Sequence, residues 1–416
     1  MTSPLISPPA VPHAAKRAAL LETLARPLQQ PPAGSGVVGQ SLARGSAGIA
    51  LWHIECAHAD VGARQRVHTW VRTALAEPVS TSAIAGLFAG LPAIAFLLDV
   101  AETVIPDYRS AVEKCHAHLI RLTHRRVTAA MARIDRGELP GFAEYDLLHG
   151  LTGIGQLLLH FLPGTDALAR VLTYLVRLTE PLRIDGDLLP GWWVAHDPDP
   201  LLPTPGGHTN LGLAHGISGP LALLAMALRA GITVDGHREA IDIICAHLDR
   251  WRCHTETGCW WPYWINRGDY ARGGIEQTGP GRPSWCYGTP GITRACQLAA
   301  LATRDTSRQR TAEAALAACL ADEVQLDLIT DLGLCHGWAG LYCTVGRAAA
   351  DADNPALAAQ LPHLAQRLIQ HAAATRPPDH GLLDGTAGIA LALSAITDNG
   401  AVAVPRSGWD RCLLIA

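Results

Sequence analysis

The sequence predicts an all-α fold, a closed double ring of inner and outer helices, on two recurring features. A Gly-x-x-Gly step followed by an apolar run rich in Ala and Leu begins at Gly45, Gly150, Gly216, Gly288, Gly337 and Gly385, and a weaker copy at Gly90 makes seven. Amphipathic segments with charge on one face lie between these steps. Repeated units of this size bury their apolar faces against their neighbours, and seven alternating pairs close into an α/α toroid with all the glycine steps at one end.

The first outer helix is expected over 13–28, and further outer helices over 108–128, 167–179, 237–251, 308–324 and 356–374, where apolar residues recur at helical spacing. Inner helices follow the glycines. Runs such as Pro220-Leu-Ala-Leu-Leu-Ala-Met-Ala-Leu228 and Ile389-Ala-Leu-Ala-Leu-Ser-Ala-Ile396 are good helix formers and apolar nearly all round, as buried helices are. Glycine at their starts lets backbone approach closely and leaves helix N-termini around a shared mouth. Successive first glycines are 45, 60, 66, 72, 49 and 48 residues apart, so the long intervals hold extra material. One such piece, 183–207, has a short-strand pattern with turn residues followed by prolines, and another, 253–284, is rich in Trp, Gly and Pro. Residues 1–416 are read as one toroid domain with 183–207 as a small β-containing insertion.

Composition excludes several classes of function. Lys and Arg total 33 against 37 Asp and Glu, so no basic field exists to hold nucleic acid or an anionic membrane. Prolines interrupt the N-terminus where a secretory signal needs an apolar core, and no apolar run reaches the roughly 20 residues of a transmembrane segment. The chain reads as cytoplasmic. Its 11 cysteines, an odd number scattered through apolar stretches, suit reduced thiols, and Cys56, Cys115, Cys245, Cys296, Cys319 and Cys343 read as small core residues.

Three other segments carry chemistry: Ala214-His-Gly216, Trp285-Cys-Tyr-Gly288 and Cys335-His-Gly337. Cys286, Cys335, His336 and His215 each stand one or two residues before the first glycine of their own repeat, so a ring sets all four at one mouth. Cys286, Cys335 and His336 would form a three-ligand zinc site with one open position, as catalytic zinc sites have. Soft sulfur with imidazole suits Zn²⁺, one ion per chain. Cys253, His254 and Cys259 are candidates for a fourth ligand that would close the site, although they occupy no repeat position. Asp146 and Arg282, four residues before Gly150 and Cys286 respectively, either reach the mouth or serve as a helix cap and a surface charge. His149 occupies the same repeat position as His215 but is the weaker candidate, since histidines at helix starts are also common packing residues; Tyr287 and Trp338 flank the ligands as wall or as catalyst.

These motifs, in separate glycine repeats, resemble the lanthionine synthetase C-like (LanC) family of lanthipeptide cyclases, and the resemblance runs from Gly45 to Ile415. It implies a toroid of seven inner and seven outer helices, interrupted in one branch of the family by a small strand-containing extension for which 183–196 is the place. It also implies a reaction, addition of a peptide cysteine thiol to a dehydroalanine or dehydrobutyrine of the same peptide to close a thioether ring. By motif match Cys286, Cys335 and His336 are the zinc ligands, His215 is the leading acid or base, and Asp146, Arg282 and Tyr287 support catalysis or position substrate. The substrate would be a dehydrated precursor peptide with its leader, and a lanthipeptide dehydratase and an export transporter are the implied partners. One complete set of seven repeats favours a free-standing cyclase.

The ligand set favours the same chemistry on physical grounds. Zn²⁺ with two thiolates is formally neutral, so a third thiolate from substrate carries net negative charge and stays reactive, whereas activation of water prefers a more positive ion. The rival readings are glutathione addition by a LanC-like protein, a prenyltransferase toroid, and a zinc-stabilised peptide-binding scaffold without catalysis. With 5% aromatic residues the chain offers little for a lipid funnel. A glycosidase fits less well, since Asp146 has no obvious carboxylate partner at the mouth.

Overall fold

In the computed structural model the chain is described over residues 14–31, 36–199, 201–256 and 258–416. Residue 13, the expected start of the first outer helix, the proline-interrupted segment before it, and residue 200 of the expected insertion lie outside these. Fourteen helices alternate between two concentric layers. The outer ones are α1 (Ala14–Ala25), α3 (Arg64–Ala74), α5 (Arg109–Asp135), α7 (Asp166–Arg177), α9 (His237–Arg250), α11 (Thr306–Ala321) and α13 (Ala356–Ala374). The inner ones are α2 (Ser46–Ala57), α4 (Leu91–Glu102), α6 (Leu151–Phe161), α8 (Ser218–Arg229), α10 (Thr289–Thr303), α12 (Trp338–Asp351) and α14 (Thr386–Ser394). Each inner helix packs on the next, and α14 returns to α2, while α1 lies against α14 as its outer partner. The result is an α/α toroid whose closure joins the two ends of the chain.

Inner helices are buried on nearly every face, as their composition requires; α14 is buried from Thr386 to Leu393. Three outer helices differ from their sequence limits: α1 ends at Ala25 and gives way to a 3-10 turn, Arg26–Leu28, that includes Pro27. Helix α5 runs on to Asp135 because the residues after Thr128 are strong helix formers, and it stops where Gly137 turns to positive φ. Helix α11 ends at Ala321, because Asp322 instead caps a separate short helix, Glu323–Leu326, by accepting from the amides of Val324 and Gln325.

The glycine steps gather at one end and are tied into a belt. The amide of Leu42 donates to Phe88, Phe88 to Leu148, Leu147 to Ala214, Leu213 to Cys286, Cys286 to Cys335, Cys335 to Leu383, and Leu383 to Ala43, each at 3.0–3.2 Å. All of these residues stand two or three positions before the first glycine of a repeat, so seven loops form one closed circuit of backbone hydrogen bonds. In six of the seven steps a second glycine allows close approach, and in the step at Gly90 Ala93 takes its place. A Cβ at Gly291 or Gly340 would strike the carbonyl of Trp285 or Leu334, six residues back, where the loop folds over the start of the helix.

Small two-stranded sheets fill the long intervals. β1 (Leu182–Ile184) and β2 (Asp187–Leu189) form a hairpin, β3 (His208–Asn210) pairs antiparallel with β6 (Trp264–Asn266), and β4 (Cys253–His254) pairs with β5 (Cys259–Trp260). The β3–β6 pair joins the two long intervals, with Thr209 opposite Ile265, so both contribute to one wall beside the mouth. Among the described residues no helix is long and apolar enough to cross a membrane.

The last residues plug the ring. Trp409, Cys412, Leu413, Leu414 and Ile415 are buried, and the carbonyls of Arg411, Leu413 and Ile415 accept hydrogen bonds from Gln156, Trp285 and Arg294. Arg347 pairs with the buried Asp410. Five buried apolar side chains at roughly 1.5–3 kcal/mol each match the whole stability of a typical domain, about 5–15 kcal/mol. Deletion of residues 407–416 is expected to abolish cooperative unfolding followed by circular dichroism; a transition within a few degrees of the full chain would show that the plug contributes little.

Candidate metal centre and the facing acid-base pair

Because the amide of Cys286 donates to the carbonyl of Cys335 at 3.2 Å, two loops from adjacent repeats lie side by side. Their side chains converge. The ligand atoms of Cys286, Cys335 and His336 lie within 4.8 Å of one another, the one group of three such side chains among the described residues. Cys286 is buried, at 4% exposure, whereas Cys335 and His336 are partly open to the mouth.

The two thiols shift each other in opposite directions. Hydrogen bonding from the Cys335 thiol holds Cys286 well below the usual thiol range against the opposing effect of burial, with help from His336 and Ser284. Cys335 is pushed up, first by its hydrogen bond to Cys286 and then by burial. His336 is raised, chiefly by its hydrogen bond to Cys286, against burial. Two thiolates this close need a cation to ionise together, and two sulfurs with one imidazole suit Zn²⁺. The donor set therefore fits the ion.

Across the mouth, His215 Nδ1 and Asp146 Oδ2 are 2.7 Å apart. Asp146 is fully buried, and its other oxygen accepts from the amides of His149 (2.7 Å) and Gly150 (2.8 Å). One carboxylate thus caps the amides at the start of α6 and also reaches the His215 ring at the mouth. Burial lowers the His215 pKa, but hydrogen bond and charge from Asp146, with the charge of Cys286, more than offset it and hold the ring above its ordinary range. Phe142 stacks on His215 with ring centroids 5.5 Å apart.

Tyr287 lies beside His215 at 6.3 Å between ring centroids, its hydroxyl accepting from Asn210 Nδ2 at 3.1 Å. Tyr263 and Trp264, from the second long interval, pack on the Tyr287 ring. Arg282 is paired with Asp331, Nη1 to Oδ2 at 3.2 Å, and its Nε is buried without a protein partner. Trp338 faces away from the mouth, between the His371 ring and the Arg367 guanidinium, so it is wall. Cys253, His254 and Cys259 stay in the β4–β5 hairpin outside the cluster, and every cysteine is free. The ring of His149 makes no hydrogen bond through Nδ1, while its carbonyl accepts from Arg126 at 2.6 Å.

Sequence reasoning passed over Asn210, Ser284, Asp331 and Asp384. A signal for them existed. Asn210 and Asp331 stand six residues before the first glycine of their repeats, as Arg282 does, and Asp384 stands one before, as His215, Tyr287 and His336 do. Ser284 matches Asp146 at four before; its hydroxyl accepts from the amide of Tyr287, as Asp146 accepts from that of His149. Phe142, on the short helix Phe142–Tyr145 inside a long interval, carries no such signal.

The comparisons with known proteins agree with this architecture. The solved structure of nisin cyclase superposes with a TM-score of 0.78 over 96% of this chain and 97% of that one, at 18% identity, which speaks for the fold. No curated protein matches the sequence. The family model described as lanthionine synthetase C-like protein matches residues 36–414, nearly all of the described chain. The chain therefore belongs to the lanthionine synthetase C-like family.

Proposed function

We propose that this protein is a zinc-dependent lanthipeptide cyclase acting in the cytoplasm on a dehydrated precursor peptide with its leader, alongside a dehydratase and an export transporter. The observation that carries the reading is the cluster of Cys286, Cys335 and His336 at the same mouth as the His215–Asp146 pair. Cys286, Cys335 and His336 would hold Zn²⁺, which supplies a site where a peptide thiol is bound as its thiolate at neutral pH.

The reaction balances within the peptide. The thiol loses its proton, a C–S bond forms at the β-carbon of the dehydro residue, its double bond becomes single, and the α-carbon takes up a proton. His215, held in one orientation by Asp146 and raised above its ordinary pKa, moves a proton at the mouth. Arg282 carries positive charge beside the cluster to meet the charge that develops on the substrate carbonyl, and Tyr287 with Tyr263 and Trp264 forms the wall that orients the peptide.

A dehydrated, cysteine-containing precursor peptide incubated with the protein is expected to keep its mass while losing its capacity to react with N-ethylmaleimide. A cognate peptide that remains fully alkylatable with zinc-loaded protein would refute the cyclase reading and favour the scaffold.

A further inference from the structure

From the geometry around His336 we infer that Asp331 is a positioning residue for the metal centre, one carboxylate that fixes both the ligand imidazole and the Arg282 guanidinium. The inference rests on the metal reading above and deepens it. Asp331 Oδ2 lies 3.2 Å from Arg282 Nη1 and 3.4 Å from His336 Nε2. Arg282 and His336 come from adjacent repeats, so this oxygen bridges two loops already joined through Cys286 and Cys335. Asp331 is itself held in place, because its carbonyl accepts from the Trp338 amide at 3.1 Å, at the first turn of α12.

An imidazole that ligates through one nitrogen must place the N–H of the other on an acceptor, and a carboxylate there fixes the tautomer and raises the ring's basicity. His336 has two acidic neighbours. Asp331 stands by Nε2, and Asp384 Oδ1 stands 3.9 Å from Nδ1. Asp331 approaches more closely and also holds Arg282, so its loss frees two mouth residues at once. The assignment leaves Nδ1 of His336 to face the thiols.

The test is zinc affinity, measured by chelator competition on metal-free protein, for the wild type and for the Asp331→Asn, Asp384→Asn and Arg282→Met variants. Asp331→Asn preserves side-chain shape, and its thermal unfolding without metal reports whether the fold is intact. The expected result is affinity weakened roughly 10- to 100-fold by Asp331→Asn, the range for lost outer partners of metal ligands, with Arg282→Met and Asp384→Asn each within a few-fold of wild type. Wild-type affinity in Asp331→Asn overturns the inference, as does an equal loss in Arg282→Met, which would trace the effect to the loop. A loss confined to Asp384→Asn reverses the nitrogen assignment and overturns it as well. Wild-type protein that takes up no zinc instead refutes the metal reading itself, so the two failures are distinguishable.

Discussion

Cys335→Ala is expected to remove zinc and turnover together while leaving the toroid folded. The variant keeps the backbone links of residue 335, whose amide donates to Leu383 and whose carbonyl accepts from Cys286, so the belt of seven loops persists. What it loses is one of three converging donors, and a thiol and an imidazole alone hold the ion poorly at neutral pH. A metal centre supplies several kcal/mol of activation, so turnover should fall on the order of a thousandfold or more. Elemental analysis of zinc per chain, circular dichroism and the cyclisation assay check the three parts. Full zinc occupancy in the variant would remove Cys335 from the ligand set.

The second large effect is expected at His215. His215→Asn should retain zinc and lower kcat by about 10²- to 10⁴-fold, the range for a general acid or base. The partner variant Asp146→Asn tests how the ring is held. It keeps an oxygen for the amides of His149 and Gly150 but takes the charge from the 2.7 Å contact with Nδ1. Burial alone pulls a histidine down, and Asp146 is the main reason the His215 ring stands above its ordinary value. Removing that carboxylate therefore lowers the pKa. If His215 acts in its protonated form, the falling limb of the pH–rate profile at high pH moves to lower pH in Asp146→Asn, and a limb that stays in place would assign it to another group.

Much of the architecture was legible because the repeat is written in residues that backbone geometry demands. Glycine leaves room where a loop crosses the first turn of an inner helix, as at Gly340 over Leu334, so six of the seven steps are visible in full without a structure, and the copy at Gly90, with Ala93 at the crossing, is the weaker one. The apolar runs are visible because inner helices have no solvent face to record. Helix ends were less legible, since a side chain such as Asp322 can cap a new helix inside an amphipathic run. Trp338 follows two candidate ligands in sequence yet packs between His371 and Arg367, because the extended backbone at Gly337 separates it, as the first residue of α12, from the loop that carries them.

The sequence by itself determined the toroid, its handful of Cys and His at equivalent repeat positions, and the end of the ring on which they lie. Those follow from local sterics and hydrophobic period, which act over a few residues. Which side chains touch was decided only by the tertiary structure. The convergence of the Cys286 and Cys335 side chains, the 2.7 Å pair of His215 with Asp146, and the sharing of Asp331 between Arg282 and His336 all join different repeats. Such contacts depend on ring closure, in which α1 packs on α14 and the C-terminal residues fill the axis, and no short-range pattern encodes a distance across a closed ring.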